Sequence, residues 1–169
     1  WTLSRGLGDV YKRQLFDIEG KEYIDLISSW WINTHGHCRN EMVNSVFNQS
    51  KKFEQVLFAG FTHHPAVDLA ARIVDILPKN LSRVFYSDNG STSVEIAMKV
   101  AIQYWHNLGK KKTKFVAFSG GYHGDTFGAM SVGKTTGFYK PFEDILHKNS
   151  FIPFPAVSYT HLTLPTNCV

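Results

Sequence analysis

The sequence lacks the features that mark secreted or membrane-spanning proteins. Only two of its 169 residues are cysteines, Cys38 and Cys168, which excludes a disulfide framework and favours a reducing compartment. No apolar run approaches the roughly 20 residues of a membrane-spanning helix. The N-terminus has no charged start followed by an apolar stretch, so no secretory signal is predicted. We therefore expect a cytoplasmic protein with no membrane partner.

The sequence also lacks a ligand set with metal-site spacing. Its nearest approach is a group of scattered side chains that gives no paired ligands: His35, His37, Cys38, His63 and His64. We therefore predict no metal. The basic run Lys110–Lys114 is typical of a solvated helix end, where cations are favourable, rather than of a nucleic-acid surface.

The two ends of the chain look foreign to the rest. The DNA sequence GATGTGTATAAGAGACAG encodes Asp9–Gln14, and its reverse complement, read from the third base, encodes Val157–His161. This DNA resembles the adapter of transposase-based sequencing libraries. We therefore expect residues 1–14 and 157–169 to be non-native tails. Without them the formal net charge falls from +4 to +2, so charge gives no support to a nucleic-acid partner.

Between these ends the pattern indicates an α/β protein. Residues 15–26 predict a β-hairpin with a glycine at its turn, and helices are predicted over about 40–52 and from Pro65 to just before Pro78. A strand over 83–87, a long helix ending at Gly109 and a strand over 114–118 follow. Strand, helix and strand at this spacing predict a βαβ unit and a parallel sheet. Thr92 and Glu95 have the spacing of a capping box at the start of the long helix.

Two turns after these strands could carry chemistry. Residues 88–93 lie between a strand and a helix N-terminus, where free N–H groups favour an anion, although an ordinary helix cap has the same pattern. Residues 119–126 form a glycine-rich loop after the next strand. Tyr122 in this loop could stack on a planar ligand or pack inward. Because carboxyl ends of parallel strands meet at one edge, we expect both turns to open on the same side.

A third candidate is the tryptophan pair in Ser28-Ser29-Trp30-Trp31. Adjacent tryptophans are costly to leave exposed in a loop, because each carries a large apolar surface. At least one of them is therefore expected to be in the core or in the wall of a pocket.

These residues together resemble the class III aminotransferases. The resemblance covers residues 15–156 and rests on ordered motifs: 58–63, 86–91, 97–99, 103–105 and 121–132. It implies a partial fold-type I transferase that uses pyridoxal 5'-phosphate (PLP), with residues 15–40 in the N-terminal small-domain segment and 41–156 in the PLP-binding large domain. The loop at Gly60 implies a homodimer. One departure is Cys38-Arg39-Asn40, where the family usually has a His-Pro pair.

The resemblance also implies roles for individual residues. Asn89, Gly90 and Ser91 match the phosphate-binding segment, and Tyr122 with His123 matches the part that covers the cofactor ring. Trp30, Tyr122 and Asp125 match substrate-contacting positions.

The tryptophan pair narrows the resemblance to the class III enzymes of biotin biosynthesis. It implies S-adenosylmethionine as amino donor and 8-amino-7-oxononanoate as acceptor, although some relatives use lysine as donor. The lysine that binds the cofactor covalently, and the carboxylate on the ring nitrogen, are expected beyond this part of the chain. We therefore predict no catalytic residue here and no activity alone. Two alternatives stay open: an ornithine, acetylornithine or aminobutyrate aminotransferase, and a non-catalytic binding relative.

Overall fold

The computed structural model describes residues 2–3, 13–134 and 137–155. The chain divides into two compact units, residues 1–81 and residues 82–169. Of the two predicted tails, only Thr2, Leu3, Arg13 and Gln14 fall within the described residues. The prediction that residues 157–169 are non-native therefore lies outside them. None of the helices in the described ranges is long and apolar enough to cross a membrane.

The first unit begins with a small antiparallel sheet. Strand β1 (Thr2–Leu3) pairs with β2 (Gln14–Phe16), which pairs with β3 (Glu22–Ile24). The β2–β3 turn is closed by Asp17, whose Oδ1 accepts hydrogen bonds from the backbone N–H groups of Glu19 and Lys21. Gly20 has φ of +82°, a conformation that glycine adopts at no steric cost. The predicted hairpin with its turn glycine is confirmed.

Three helical segments follow in the first unit: α1 (Ser28–Trp31), α2 (Asn40–Ser50) and α3 (His64–Ile76). Pro65 lies in the first turn of α3, and the helix ends two residues before Pro78, as predicted. The His63 side chain caps α3 by accepting from the backbone N–H of Ala66 at 3.3 Å.

The second unit is organised by a long helix, α4 (Gly90–Asn107), which ends just before Gly109 at φ of +68°. Its N-terminus carries a capping box, but the predicted pair was wrong. Asn89 Oδ1 accepts from the backbone N–H of Thr92 at 3.0 Å, and Thr92 Oγ1 accepts from the backbone N–H of Asn89 at 3.2 Å. The box is therefore Asn89–Thr92 instead of Thr92–Glu95, which leaves the Glu95 carboxylate free to bond elsewhere.

The parallel sheet of this unit contains β4 (Val116–Phe118) and β5 (Ser150–Ile152). Between them run α5 (Phe127–Val132) and a 3-10 turn over Lys140–Phe142. A parallel sheet is present as expected, but the predicted βαβ unit was wrong, because residues 83–87 pair with no strand among the described residues and β4 pairs with β5 instead. A β-strand is defined by its neighbour's hydrogen bonds, which local sequence does not supply.

Helix α5 holds most of the buried side chains. Ala129, Met130 and Val132 are buried with Tyr139, whose hydroxyl donates to the carbonyl of Gly124 at 3.2 Å. The N-terminus of α5 is capped from α4. Glu95 Oε1 accepts from Thr126 Oγ1 at 2.6 Å and from the backbone N–H groups of Gly128 at 2.7 Å and Ala129 at 3.2 Å. A carboxylate is favourable at this end of a helix dipole.

Gly128 fits under Glu95 only because it lacks a side chain. A Cβ at position 128 would lie 2.1 Å from Glu95 Oε2 and 2.5 Å from its Cδ, while three hydrogen bonds hold that carboxylate in place. We expect Gly128→Ala to lower the free energy of unfolding by about 1–3 kcal/mol, as overpacking does, measured by urea unfolding. Gly90→Ala is the control, since a Cβ there meets nothing within 4 Å. Equal stability of the two variants would contradict the packing described.

Glu95 should also make stability depend on pH. Its pKa is lowered from the usual 4.5, chiefly by the hydrogen bond from Thr126 and further by those from Gly128 and Ala129. A lowered carboxyl pKa stabilises the fold above the unfolded pKa, and that contribution is lost as pH falls through the folded one. Thr126→Val should therefore be less stable than wild type at pH 7, and the gap should shrink below pH 4.5. Thr126→Ser, which keeps the hydroxyl, should show little gap at either pH in urea unfolding.

Candidate cofactor site

The start of α4 presents unpaired backbone donors. Within the described residues, the N–H groups of Gly90 and Ser91 have no protein acceptor, whereas those of Thr92 and Ser93 are bonded to Asn89. Both free N–H groups lie at the positive end of an 18-residue helix. This arrangement suits a phosphate, whose oxygens accept hydrogen bonds and carry negative charge.

Gly90 shows that this end of the helix has room for a group outside the chain. Its φ is not in the left-handed region, and an added Cβ would meet no atom within 4 Å. Neither backbone conformation nor packing within the described chain requires glycine there. Open space lies beside the free N–H groups, and a Cβ at position 90 would partly fill it. We call this helix end, with the N–H groups of Gly90 and Ser91, the cradle. The Asn89 side-chain oxygen is engaged in capping, so its predicted contact with phosphate stays a prediction.

The second predicted turn lies directly against this cradle. Ser91 Oγ accepts from the backbone N–H of Asp125 at 3.3 Å. Gly124, buried and at φ of +119°, lies so close that a Cβ on it would be 1.9 Å from Ser91 Oγ. The expectation that residues 88–93 and 119–126 open on one side is therefore confirmed. Glycine at 124 is required by both its backbone conformation and this approach.

Tyr122 holds an exposed ring beside the cradle. Its side chain is 61% exposed, and its hydroxyl donates to Asp125 Oδ2 at 2.9 Å. That hydrogen bond is the main reason why the pKa of Tyr122 is raised above 10.0. The inward-packing alternative is thus wrong, and the ring remains available to stack on a planar group. His123 in the same loop is also exposed.

In the first unit, the tryptophan pair lies in a left-handed turn. Ser28, Ser29, Trp30 and Trp31 of α1 have φ of 49°, 48°, 60° and 67°. Side chains with a Cβ are disfavoured there by about 1–2 kcal/mol per residue. The indoles meet edge to face with centroids 5.5 Å apart, and they are 71% and 73% exposed. Of the two places predicted for at least one indole, the core is excluded within the described chain, and the pocket wall stays a prediction.

A buried network supports that turn. Asp25 Oδ1 accepts from the backbone N–H of Ser29 at 3.1 Å, and Oδ2 accepts from Ser29 Oγ at 2.9 Å. His37 Nε2 lies 2.8 Å from Asp25 Oδ2, and Asn33 Nδ2 donates to His37 Nδ1 at 3.1 Å. This pattern places the proton of a neutral imidazole on Nε2, so that it donates to Asp25. The bond from Ser29 N–H leads the causes that lower the pKa of Asp25.

Two lysines of the second unit, Lys134 and Lys99, have side chains engaged elsewhere or lining another surface. Lys134 Nζ sits over the ring of Phe151, 5.5 Å from its centroid. Lys99 lines an open groove of about 740 Å³ along the C-terminal half of α4, together with Lys110–Lys112. Lys112 Nζ lies 3.7 Å from the centroid of Trp105 in the same region. Neither Lys99 nor Lys134 is proposed as the cofactor lysine, which the family resemblance places beyond this part of the chain.

Two supporting residues were missed by sequence reasoning. Glu95 was assigned to a cap within its own helix, and Asp25 was placed in a strand of no chemical interest. The signal available for Glu95 was its position one turn from the cradle on the half-buried side of α4. For Asp25, no local pattern pointed to Ser29 and His37 as partners.

Comparison with known proteins places these sites in context. A family model described as Aminotransferase class-III matches residues 6–164. The chain is 53% identical over 137 residues to the adenosylmethionine-8-amino-7-oxononanoate aminotransferase of Synechococcus elongatus, over 81% of this chain and 32% of that protein. It is also similar to the crystal structure of the Methanocaldococcus jannaschii enzyme of that name, with a TM-score of 0.81 and 42% identity over 87% of this chain and 34% of that one.

A transaminase from the marine bacterium Virgibacillus is similar too, with a TM-score of 0.76 and 31% identity over 92% of this chain and 36% of that one. The chain therefore spans about a third of the length of the relatives that it matches.

The open space at Gly90 gives a direct test of the cradle. In the complete protein, Gly90→Ala should weaken PLP binding about tenfold or more, because roughly 1.4 kcal/mol of steric or donor loss corresponds to a factor of ten. The free energy of unfolding without PLP should stay unchanged or rise slightly, since alanine favours helix. Cofactor affinity is measured by fluorescence titration and stability by urea unfolding. Ser93→Ala, one turn away and exposed, is the matched control. Unchanged PLP affinity in Gly90→Ala would contradict the prediction that this helix end binds the phosphate.

Proposed function

Because the chain belongs to the class III aminotransferase family, we propose that the protein containing it transfers an amino group to 8-amino-7-oxononanoate, giving 7,8-diaminononanoate in biotin biosynthesis. The observation that carries this proposal is the 53% identity to the Synechococcus elongatus enzyme over 137 aligned residues, which are 81% of this chain. The proposed amino donor is S-adenosylmethionine, with lysine as the alternative donor. Enzymes of this family use PLP.

The residues of the second unit fit the binding of PLP. The N–H groups of Gly90 and Ser91 would hold the phosphate, with Asn89 beside them keeping the helix start in place. Tyr122 would lie over the ring with His123 adjacent in the same loop. When bound, PLP supplies an electron sink that acidifies the amino-bearing carbon of the substrate.

Two residues are proposed as substrate contacts, each on observations from its own unit. Asp125 accepts the hydrogen bond of the Tyr122 hydroxyl, so it fixes the tilt of that ring and leaves its own second oxygen for a substrate donor. Trp30 presents an exposed indole that can exclude water from an apolar substrate chain. The proposed roles are therefore orientation and exclusion of water, while the proton transfer itself needs a base outside the residues described.

The chain as given should be inactive on its own. We place the covalent lysine and the ring-nitrogen carboxylate in the part of the relatives that this chain does not span. Exposed apolar side chains on the sheet and nearby, such as Phe85 at 75% and Val116 at 66%, suit a surface covered by further protein. We further propose that residues 15–40 belong to the small domain and residues 41–156 to the large domain, with non-native tails at 1–14 and 157–169. We also propose that the complete protein is a cytoplasmic homodimer.

The proposal is tested by recovering the uninterrupted gene and assaying its product. We expect turnover of 8-amino-7-oxononanoate with PLP and either S-adenosylmethionine or lysine, and little with ornithine, acetylornithine or aminobutyrate. Residues 15–156 alone should show no turnover under the same conditions. Preference for one of the other three substrates would assign a different class III activity. A gene without a downstream cofactor lysine would favour a non-catalytic relative.

A further inference from the structure

The left-handed turn α1 needs support from outside itself. Four consecutive residues that carry a Cβ adopt positive φ, a conformation that single residues visit and runs of residues avoid. Such backbone persists only where surrounding contacts over-determine it, and it concentrates at functional sites. The turn presents two indoles to solvent, so hydrophobic burial of its own side chains does not hold it.

Asp25 supplies the missing support. Its carboxylate, 5% exposed, bonds both the backbone N–H and the hydroxyl of Ser29, the second residue of the turn. The backbone adds further bonds, from Trp31 N–H to Ile27 O and from Asn33 N–H to Ser28 O, each 2.9 Å long, and from Ser28 N–H to Asp25 O at 3.4 Å. Of these contacts, only the Asp25 bonds reach Ser29 from a neighbouring strand end, so they tie the turn to the hairpin.

His37 in turn fixes Asp25. The imidazole is 7% exposed, and it bonds Asp25 through Nε2 and Asn33 through Nδ1. Asp25 Oδ2 therefore receives two donors, while Oδ1 receives the Ser29 N–H. A carboxylate satisfied in this way can neither rotate nor leave the turn without stranding a buried donor.

We propose that Asp25, backed by His37, is a positioning residue that holds Trp30 and Trp31 in the left-handed turn as a rigid wall for the amino acceptor. The identity of the acceptor rests on the proposed function, whereas the support of the turn does not. Asp25 acts through Ser29 and touches neither substrate nor cofactor. The consequence is that its loss impairs substrate binding through the backbone of α1.

The test compares wild type with Asp25→Ala and with the milder Asp25→Asn in the complete holoenzyme. Asp25→Ala should raise KM for 8-amino-7-oxononanoate about tenfold or more, as small displacements of positioning groups do, with a much smaller change in kcat. The absorption spectrum of bound PLP should not change. The KM of Asp25→Asn should lie between that of wild type and that of Asp25→Ala.

Rescue by glycine separates support of the turn from general stability. Glycine adopts positive φ without cost. Adding Ser28→Gly and Ser29→Gly to Asp25→Ala should therefore lower KM most of the way back to the wild-type value. The matched control places the same two changes at Ser45 and Ser50, exposed serines of the right-handed helix α2, where they should rescue nothing. Rescue at 28 and 29 alone supports the proposal. An unchanged KM in Asp25→Ala, or equal rescue by both pairs, overturns it.

A readout without activity keeps the two proposals apart. The edge-to-face indole pair should give a near-ultraviolet circular dichroism signal. We isolate it by subtracting, for each protein, the spectrum of the same protein that also carries Trp31→Phe. That signal should vanish in Asp25→Ala and return with Ser28→Gly and Ser29→Gly. If wild type shows no transamination, the proposed function fails while this signal still decides the role of Asp25. A signal that survives Asp25→Ala overturns that role whatever the activity.

Discussion

The carboxylate of Glu95 is the interaction on which the second unit depends. It joins α4 to α5 by accepting one hydroxyl and two backbone donors at the start of α5. The loop between β4 and α5 is thereby held at both ends, by the strand before it and by the capped helix after it. Gly124 can then approach Ser91 closely enough for Ser91 to accept the Asp125 N–H. Glu95 thus adds to the other bonds that hold this loop, which include Gly120 N–H to Lys134 O, Lys134 N–H to Gly121 O and the Tyr139 hydroxyl to Gly124 O.

Sequence reasoning predicted the parts of this site that depend on local rules. A polar turn before a helix gives free N–H groups at Gly90 and Ser91 wherever it occurs, and carboxyl ends of parallel strands share an edge. The two turns do lie together, although residues 83–87, whose strand end carried part of that prediction, form no strand among the described residues. What could not be predicted was the partner of Glu95. Its spacing from Thr92 fitted a cap within one helix, but Asn89 already satisfied that role, and a tertiary partner offered three donors instead.

Other errors have the same physical origin, because they concern contacts distant in sequence. Residues 83–87 have strand-like side chains, yet strand pairing belongs to the sheet, and the described neighbours pair elsewhere. The indoles of Trp30 and Trp31 favoured burial by composition, but the left-handed turn directs them outward. The hairpin, the first turn of α3 and the C-terminal end of α4 were predicted correctly. In each of those, a glycine or proline sets the backbone within a few residues.

In each unit a carboxylate anchors a segment that carries an exposed aromatic side chain. Asp25 and Glu95 each accept a side-chain hydroxyl and at least one backbone N–H from the segment that they support. In both, these bonds lower the pKa, so each carboxylate remains ionised well below neutral pH. A charged acceptor binds backbone donors more strongly than a neutral one. The exposed side chains of Trp30 and Tyr122 therefore lie on segments that carboxylates anchor through the backbone, each within its own unit.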